Sequence, residues 1–385
     1  MVNERRKMEK SVLGVGVIGC GAFCEAYISS LGSVFKNCRV LACSDIDMDR
    51  AAEIAAKWNI TACTTEELLA DPEIDIAVIV TGPASHYPLT MQALKAGKHV
   101  YCEKPMAVTV EQTSEIIALA EKKGLYVTVA PDTILDSAMQ TARKALDDGL
   151  IGRPLSVTMN FIGPGPDWWH PRPDFFYKAG GGPAMDMGPY YLSAAVSILG
   201  PIAQMFAYAS RGFDIRQMQG HECAVDVDTG YAAVLKFRSG VIGNINLSFD
   251  AVRSYSPGFE IQGTEGVLFI PDPNTLTGEV RYLNRDKLRN EVQKRETFKG
   301  VAWMYSPEAL ELAEELPRAV PRSNAHRGMG PADLADCIIK GDTEPRCSMY
   351  IARHITEALL AFSICAETGL PYYMQTTCER PDPAY

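Results

Sequence analysis

The chain has 385 residues, of which 47% are hydrophobic and 22% charged, and a formal net charge of −10. Length and composition suit a soluble globular protein of two domains or one large one, and they exclude wholesale disorder and a polytopic membrane protein. The acidic balance argues against nucleic acid or an anionic membrane as the main partner, because phosphate binding requires a basic footprint.

Residues 1–10 are charged and read as a loose tail. Arg5 and Arg6 precede the apolar run from Val12 to Ala22, and Val17-Ile18-Gly19-Cys20 has the look of a secretory cleavage box. The same residues form a glycine fingerprint that cleavage would destroy, so a cytoplasmic location is expected. No other run approaches the about 20 apolar residues needed to span a bilayer.

The run over 12–18 (VLGVGVI), ended by Gly19, suits a buried parallel strand. A helix is expected over 22–32, a strand over 39–44 and a helix over 47–58. A strand over 76–80 precedes a helix over 85–96. A strand over 99–102, a helix over 110–123 and a strand over 125–130 complete the series. Strands alternating with helices predict a doubly wound parallel sheet, a Rossmann-type α/β domain over residues 11–131.

Beyond 131 the pattern changes. A helix over 136–148 ends at Gly149, and longer alternating strands follow at 154–162, 203–211, 228–237, 241–250, 257–263 and 266–270. Ser239-Gly240 and the GTEGVL segment read as hairpin turns. This second domain, 132–385, is therefore expected to be α/β with a large, mainly antiparallel open sheet. Helices over 187–199, 331–340 and 348–367 would accompany it. The polar stretch 273–300 reads as an exposed loop. The open sheet face is a surface that a homodimer or homotetramer would bury.

Eleven cysteines run from Cys20 to Cys378 with no Cys-x-x-Cys pair and no Cys/His cluster of zinc spacing. They read as reduced, mostly buried small hydrophobes, and no metal site is expected.

Chemistry concentrates first at Gly19-Cys20-Gly21-Ala22-Phe23-Cys24. Gly19 allows the tight turn and Gly21 lets backbone N–H groups approach a pyrophosphate at the helix N-terminus. Asp45 ends the second strand 26 residues after Gly19. A carboxylate there accepts hydrogen bonds from a ribose diol and repels a 2′-phosphate, which favours NAD over NADP. The other reading of Asp45 is a helix N-cap. Gly19, Gly21, Ala22, Phe23, Asp45 and Arg50 are the expected dinucleotide contacts on this side.

The string ALKAGKHVYCEKPMAVT (93–109) and the block GGGPAMDMGPYYL (180–192) together resemble the Gfo/Idh/MocA oxidoreductase family. The likeness extends from the fingerprint to the AETGLPYYMQTTCERP segment near the C-terminus. It implies a dinucleotide-binding domain followed by an α/β domain, with substrate meeting cofactor between them. It also implies that Glu103 and Lys104 lie beside the cofactor, and that Lys104 contacts the reacting hydroxyl. Asp186 would hold the substrate or orient its partner. Tyr190 stands where most members carry a histidine acid/base. Tyrosine there follows the glucose–fructose oxidoreductase and dihydrodiol/xylose dehydrogenase branches.

Oxidising an alcohol requires a base to take the hydroxyl proton as hydride leaves. A free tyrosine, near pKa ~10, is too weakly ionised at neutral pH, and an ammonium such as Lys104 beside it would lower that value. Alternatively Tyr190 is a core aromatic beside Tyr191, Asp186 is an N-cap, and His170 is the acid/base. His170 lies in GPGPDWWHPRPDFFYK (163–178), whose aromatic faces, Trp169 among them, suit the C–H faces of a sugar ring or simply anchor the loop. Thr81 and Pro83 end a strand at the carboxyl edge and pass the cofactor. His86 has counterparts in many members and serves either cofactor or fold. Asp132, at the same edge, and His326, beside Asn324 and Arg327, are candidate substrate contacts.

These readings predict NAD-dependent hydride transfer at a hydroxyl-bearing carbon of a sugar, polyol or glycoside. Two other classes stay open: a redox-neutral glycosidase or lyase that keeps its NAD, and a non-catalytic dinucleotide sensor.

Overall fold

A computed structural model describes residues 10–385 apart from 219, 255–257, 325–326 and 342. The chain divides into two compact units, Met1–Leu135 with Ser323–Glu357, and Asp136–Arg322 with Ala358–Tyr385.

In the first unit β1 (Leu13–Ile18) leads into α1 (Cys24–Ser30). β2 (Cys38–Ser44) is followed by α2 (Met48–Trp58), whose first turn is capped by the Asp47 side chain accepting from the Arg50 N–H. Next come β3 (Thr61–Ala62), α3 (Thr65–Ala70), β4 (Ile76–Ile79) and α4 (Pro83–Lys95). β5 (His99–Cys102), α5 (Val110–Lys123) and β6 (Val127–Val129) close the series. All six strands pair in parallel, in the order β3-β2-β1-β4-β5-β6.

Both faces of this sheet are covered. Val15, Val17 and Val78 pack with Tyr27 and Ile54 on one side. Ile18, Ile79 and Val100 pack with Leu94 and Ile116 on the other. Two-sided burial is why these strands read as unbroken apolar runs. β3 and α3 escape the sequence reading, because a two-residue strand has no period to detect. α3 is nevertheless signalled by a capping box between Thr64 and Glu67.

The second unit opens with α6 (Ser137–Asp147) and β7 (Pro154–Ile162). The short α7 (Gly182–Asp186) runs into the wholly buried α8 (Gly188–Leu199). β8 (Ile202–Ser210), β9 (Ile215–Gln217), β10 (Glu222–Ala224), β11 (Gly230–Phe237) and β12 (Ile242–Ser248) follow. After β13 (Phe259–Gly263), β14 (Gly266–Ile270) and β15 (Arg281–Asn284) come the helices α9 (Arg285–Gln293), α10 (Thr297–Met304) and α11 (Pro307–Leu310), then β16 (Glu314–Glu315). Nine strands form one mixed sheet, β16-β15-β14-β13-β7-β12-β11-β8-β17, where β17 is Tyr372–Tyr373. Only the β7/β12 pair is parallel; the other pairs are antiparallel.

The stretch 273–300 corrects the sequence expectation of a loop: it holds β15, α9 and the start of α10. α9 has no fully buried residue, and Leu288 alone of its side chains packs against a small core cluster, so its apolar side is too thin to read as a helix. Its signal is the cap, where Asn284 Oδ1 accepts from the Lys287 N–H at 3.0 Å.

The chain then returns to the first unit, where the sequence analysis had placed everything after 131 in one domain. α12 (Met329–Lys340) puts Leu334 and Ala335 into the same core as β1 and β2. The Asn37 amide holds α12 through Ala332 O at 2.8 Å and Asp336 Oδ1 at 2.6 Å. α13 (Met349–Thr368) is shared by the units, its residues up to Glu357 belonging to the first. Pattern reading runs along the chain and registers no such return, because an amphipathic helix does not announce which sheet it covers.

Candidate active site

Gly19 follows β1 with φ +103, and a Cβ there would lie 2.7 Å from Val80 O. Glycine is therefore required for the turn that ends β1 against β4. At Gly21 a Cβ would meet nothing within 4 Å. Ala22 and Phe23 are exposed. The turn thus presents backbone to open space, the arrangement that close approach of a pyrophosphate needs.

Asp45 Oδ2 accepts from the Cys20 N–H at 2.7 Å and Oδ1 from the Asp47 N–H at 2.9 Å. Its side chain is only 8% exposed. Asp47, not Asp45, caps α2. One lone pair of each Asp45 oxygen is committed, which locks the carboxylate's orientation and leaves the others for a diol. Arg50 Nη1 lies 3.8 Å from Asp45 and Nη2 3.3 Å from Asp47. These residues fit the adenosine half of a dinucleotide with an unsubstituted ribose.

At the end of β5, Glu103 is clamped from two sides. Oε1 accepts from Tyr27 Oη at 2.6 Å, and Oε2 accepts from the Lys104 N–H at 3.1 Å. Tyr27 Oη is 3.2 Å from Tyr101 Oη; since Tyr27 gives its proton to Glu103, Tyr101 donates to Tyr27. Burial, then the Glu103 charge, push the Tyr27 pKa well above its ordinary value, so it stays a neutral donor. Lys104 is half-buried in the turn these bonds define. After β4, Thr81 Oγ1 is buried with no hydrogen-bond partner in the protein, and Pro83 begins α4 on the surface.

Two expected ligand contacts are corrected. His86 is fully buried, with Nδ1 2.7 Å from Pro105 O and Nε2 3.0 Å from Thr81 O, so both ring nitrogens face protein rather than cofactor. Asp132 is also fully buried, and its Oδ2 accepts from the N–H groups of Gly328 and Gly330 at 3.0 and 3.1 Å. It ties the end of β6 to the start of α12 and presents no surface to a substrate. Burial pushes its pKa up, opposed by the Arg327 charge and those two N–H groups. His326, the other candidate substrate contact from this part of the chain, lies outside the described residues.

In the second unit, Gly182 (φ +86) has room for no Cβ, which would lie 2.9 Å from Asp228 O. It starts α7, and Asp186 ends it half-buried. Asp186 is not the N-cap of α8: that position is Met187, which makes no side-chain cap hydrogen bond. Tyr190 sits in the first turn of α8 at 8% exposure. Its neighbour Tyr191 is the core aromatic, packed against Phe161 and Phe259, and its phenol is raised by burial and by Asp272.

The aromatic loop is organised around a buried arginine that the sequence reading missed. Arg216 Nη2 is 2.6 Å from Asp250 Oδ1, and Nη1 is 3.5 Å from Asp167 Oδ2 and 3.1 Å from Pro164 O. Tyr177 also donates to Asp167. This hub holds the loop from beneath while Trp168 and Trp169 stand 66% and 67% exposed. His170 packs edge-on against Trp169 and Phe176, and its Nδ1 accepts from the Arg172 N–H at 3.1 Å. No local motif marks Arg216, since Asp250 is 34 residues away. Tyr27 is equally silent, a helical tyrosine whose partner is 76 residues on. Among the described residues no His/Cys/Asp/Glu group is placed to hold a metal, and no helix is long and apolar enough to cross a membrane.

Comparison with known proteins bears on this geometry. A profile described as an oxidoreductase family with an NAD-binding Rossmann fold matches residues 13–130. One described as a GFO/IDH/MocA C-terminal domain matches residues 139–269. The trans-1,2-dihydrobenzene-1,2-diol dehydrogenase of Mus musculus is 31% identical over 274 residues, 69% of this chain and 78% of that protein. The myo-inositol 2-dehydrogenase of Thermotoga maritima is 28% identical over 266 residues, 68% of this chain and 76% of that protein. In three dimensions the chain is similar to an NAD binding oxidoreductase from Klebsiella pneumoniae, with a TM-score of 0.77, 23% identity and coverage of 94% of this chain and 99% of that one. At that identity the likeness speaks to the fold.

Proposed function

The chain belongs to the Gfo/Idh/MocA oxidoreductase family, and from that premise we propose that it is an NAD-dependent dehydrogenase acting on a hydroxyl-bearing carbon of a sugar, polyol or glycoside. The observation that carries the reading is the intact Glu103-Lys104-Pro105 turn, with Glu103 anchored by Tyr27 from the helix that follows the glycine turn. When bound, NAD supplies the acceptor for a hydride from the carbinol carbon.

Lys104 contacts the reacting hydroxyl and fixes its orientation. Tyr190 takes the hydroxyl proton, and Asp186 holds the substrate. Tyr190 is preferred to His170 because His170 Nδ1 is occupied by the Arg172 N–H. Trp169 and His170 line the substrate's apolar face. Gly19, Gly21, Ala22 and Phe23 receive the pyrophosphate, Asp45 receives the ribose diol, and Thr81 and Pro83 pass the nicotinamide side. NADP is disfavoured by the Asp45 charge.

The protein is read as a cytoplasmic homodimer or homotetramer. Tyr208, Val234, Ile242 and Tyr373 are exposed on the nine-stranded sheet, an apolar face suited to a second copy. Sedimentation as a monomer would remove that part of the reading.

The experiment is an absorbance screen at the NADH band. Protein and NAD are mixed with aldoses, inositols, amino sugars and aryl glycosides, and the panel is repeated with NADP. A rise with one polyol and NAD is expected. Release of aglycone without NADH accumulation would replace the dehydrogenase by a redox-neutral mechanism. Silence in both, with NAD bound, would leave a sensor.

A further inference from the structure

His86 lies in the first unit, in the first turn of α4, and none of its surface reaches solvent. Its two ring nitrogens address two separate backbone carbonyls. Nδ1 is 2.7 Å from Pro105 O, immediately after Lys104, and Nε2 is 3.0 Å from Thr81 O, at the end of β4. A carbonyl oxygen can only accept. A neutral imidazole has one N–H, so it would leave a ring lone pair against a carbonyl lone pair in a buried site, an unsatisfied and repulsive contact. Only the imidazolium satisfies both carbonyls.

We propose that His86 is a positioning residue of the dehydrogenase site, a buried imidazolium donating from both ring nitrogens that ties the β4 loop to the Glu103-Lys104-Pro105 turn. This rests on the reading that Thr81 and Lys104 serve the nicotinamide side of NAD. His86 touches neither cofactor nor substrate; it sets the separation of two backbone segments that do.

The surroundings favour the cation. Burial works against it, but the charge and hydrogen bonding of the Cys102 sulfur of β5 and the two carbonyls outweigh burial, and the pKa rises to about 9. Cys102 is the titratable group acting on the ring. The folded value lies above the ordinary His value of about 6.5. The tie is therefore fully present below that value and is lost as pH rises through about 9.

The chain has six histidines, so a side-chain 15N–1H correlation spectrum of 15N-histidine-labelled protein is simple to assign, with His86→Gln identifying the His86 signals. At pH 7.5 both ring nitrogens of His86 are expected to carry protons. One unprotonated nitrogen overturns the proposal, and this readout needs no knowledge of the substrate. If His86→Gln fails to fold, an assignment by through-bond connectivity in the wild type reads the same result.

The second measurement is NADH affinity by its fluorescence from pH 7 to 10, a range in which NADH itself does not titrate. Wild-type affinity is expected to fall by about tenfold as pH passes through about 9, the scale of a lost charge-assisted hydrogen bond. His86→Gln should be weaker at pH 7 and lack that step. Superimposed profiles for the two proteins overturn the positioning role. Failure of the wild type to bind NADH at any pH overturns the dehydrogenase reading instead, while the spectrum still decides the charge of His86.

Discussion

Tyr27 Oη donates to Glu103 Oε1 at 2.6 Å, joining the helix after the glycine turn to the turn that carries Lys104. The two residues come from segments 76 positions apart, one in α1 and one at the end of β5. Tyr101 donates into the same phenol, so the Glu103 carboxylate stands at the end of a buried donor chain. Rotation of Glu103 would release the Lys104 N–H as well.

Tyr27→Phe removes the donor to Glu103 and strands the Tyr101 hydroxyl, which is fully buried. The expected loss of unfolding free energy is about 1–3 kcal/mol, the range for an unsatisfied buried polar group. Urea denaturation measures it. Turnover should fall more than NADH affinity, since what is disturbed is the setting of Lys104; an unchanged kcat would separate Tyr27 from the site.

Lys104→Ala and Tyr190→Phe should each lower kcat by about 10²–10⁴, the usual span for a lost proton-transfer partner. NADH affinity of Tyr190→Phe should stay near that of the wild type, because Tyr190 is assigned to the proton and not to the cofactor. A His170→Ala variant that loses as much turnover as Tyr190→Phe would move the acid/base role to the aromatic loop.

Asp45→Ser frees the Cys20 N–H and releases Arg50, which leans on both Asp45 and Asp47. It also removes the charge that repels a 2′-phosphate. The NAD/NADP ratio of kcat/KM should fall by about tenfold or more, by the scale of one charge-assisted hydrogen bond. Parallel assays with the two cofactors test this, and an unaltered ratio would mean that discrimination lies elsewhere.

Arg216→Met removes the cation shared by Asp167 and Asp250. Arg216 and Asp167 are almost wholly buried, at 8% and 6% side-chain exposure. Breaking a buried pair from one side typically destabilises by about 3–5 kcal/mol. Chemical denaturation should show a loss of that size, with faster proteolysis of 163–178. A variant as stable as the wild type would show that the loop is held by its aromatic packing.

Most of the parallel sheet was legible because its longer strands are buried on both sides, while the two-residue β3 was not. The glycine turn and Asp45 were legible because backbone geometry and local spacing require them, whereas the Glu103-Lys104-Pro105 string was legible only through its resemblance to the family. α9 was not legible, since a mostly charged surface helix that sets only Leu288 against a core cluster leaves too faint a period in the sequence.

What the amino-acid order determined by itself was therefore local: a turn only glycine can make, a carboxylate at a strand end, and alternating apolar segments that dictate a doubly wound fold. What only tertiary structure decided was partnership. His86 and Asp132 read as ligand contacts and became internal ties because their partners, Pro105 at 19 residues and Gly330 at 198, meet them through folding. Tyr27 and Arg216 carry no motif, yet each completes a hydrogen-bonded set drawn from distant segments. A buried polar group must be satisfied, but the chain that satisfies it can come from anywhere the fold brings near, and that choice leaves no mark on neighbouring residues.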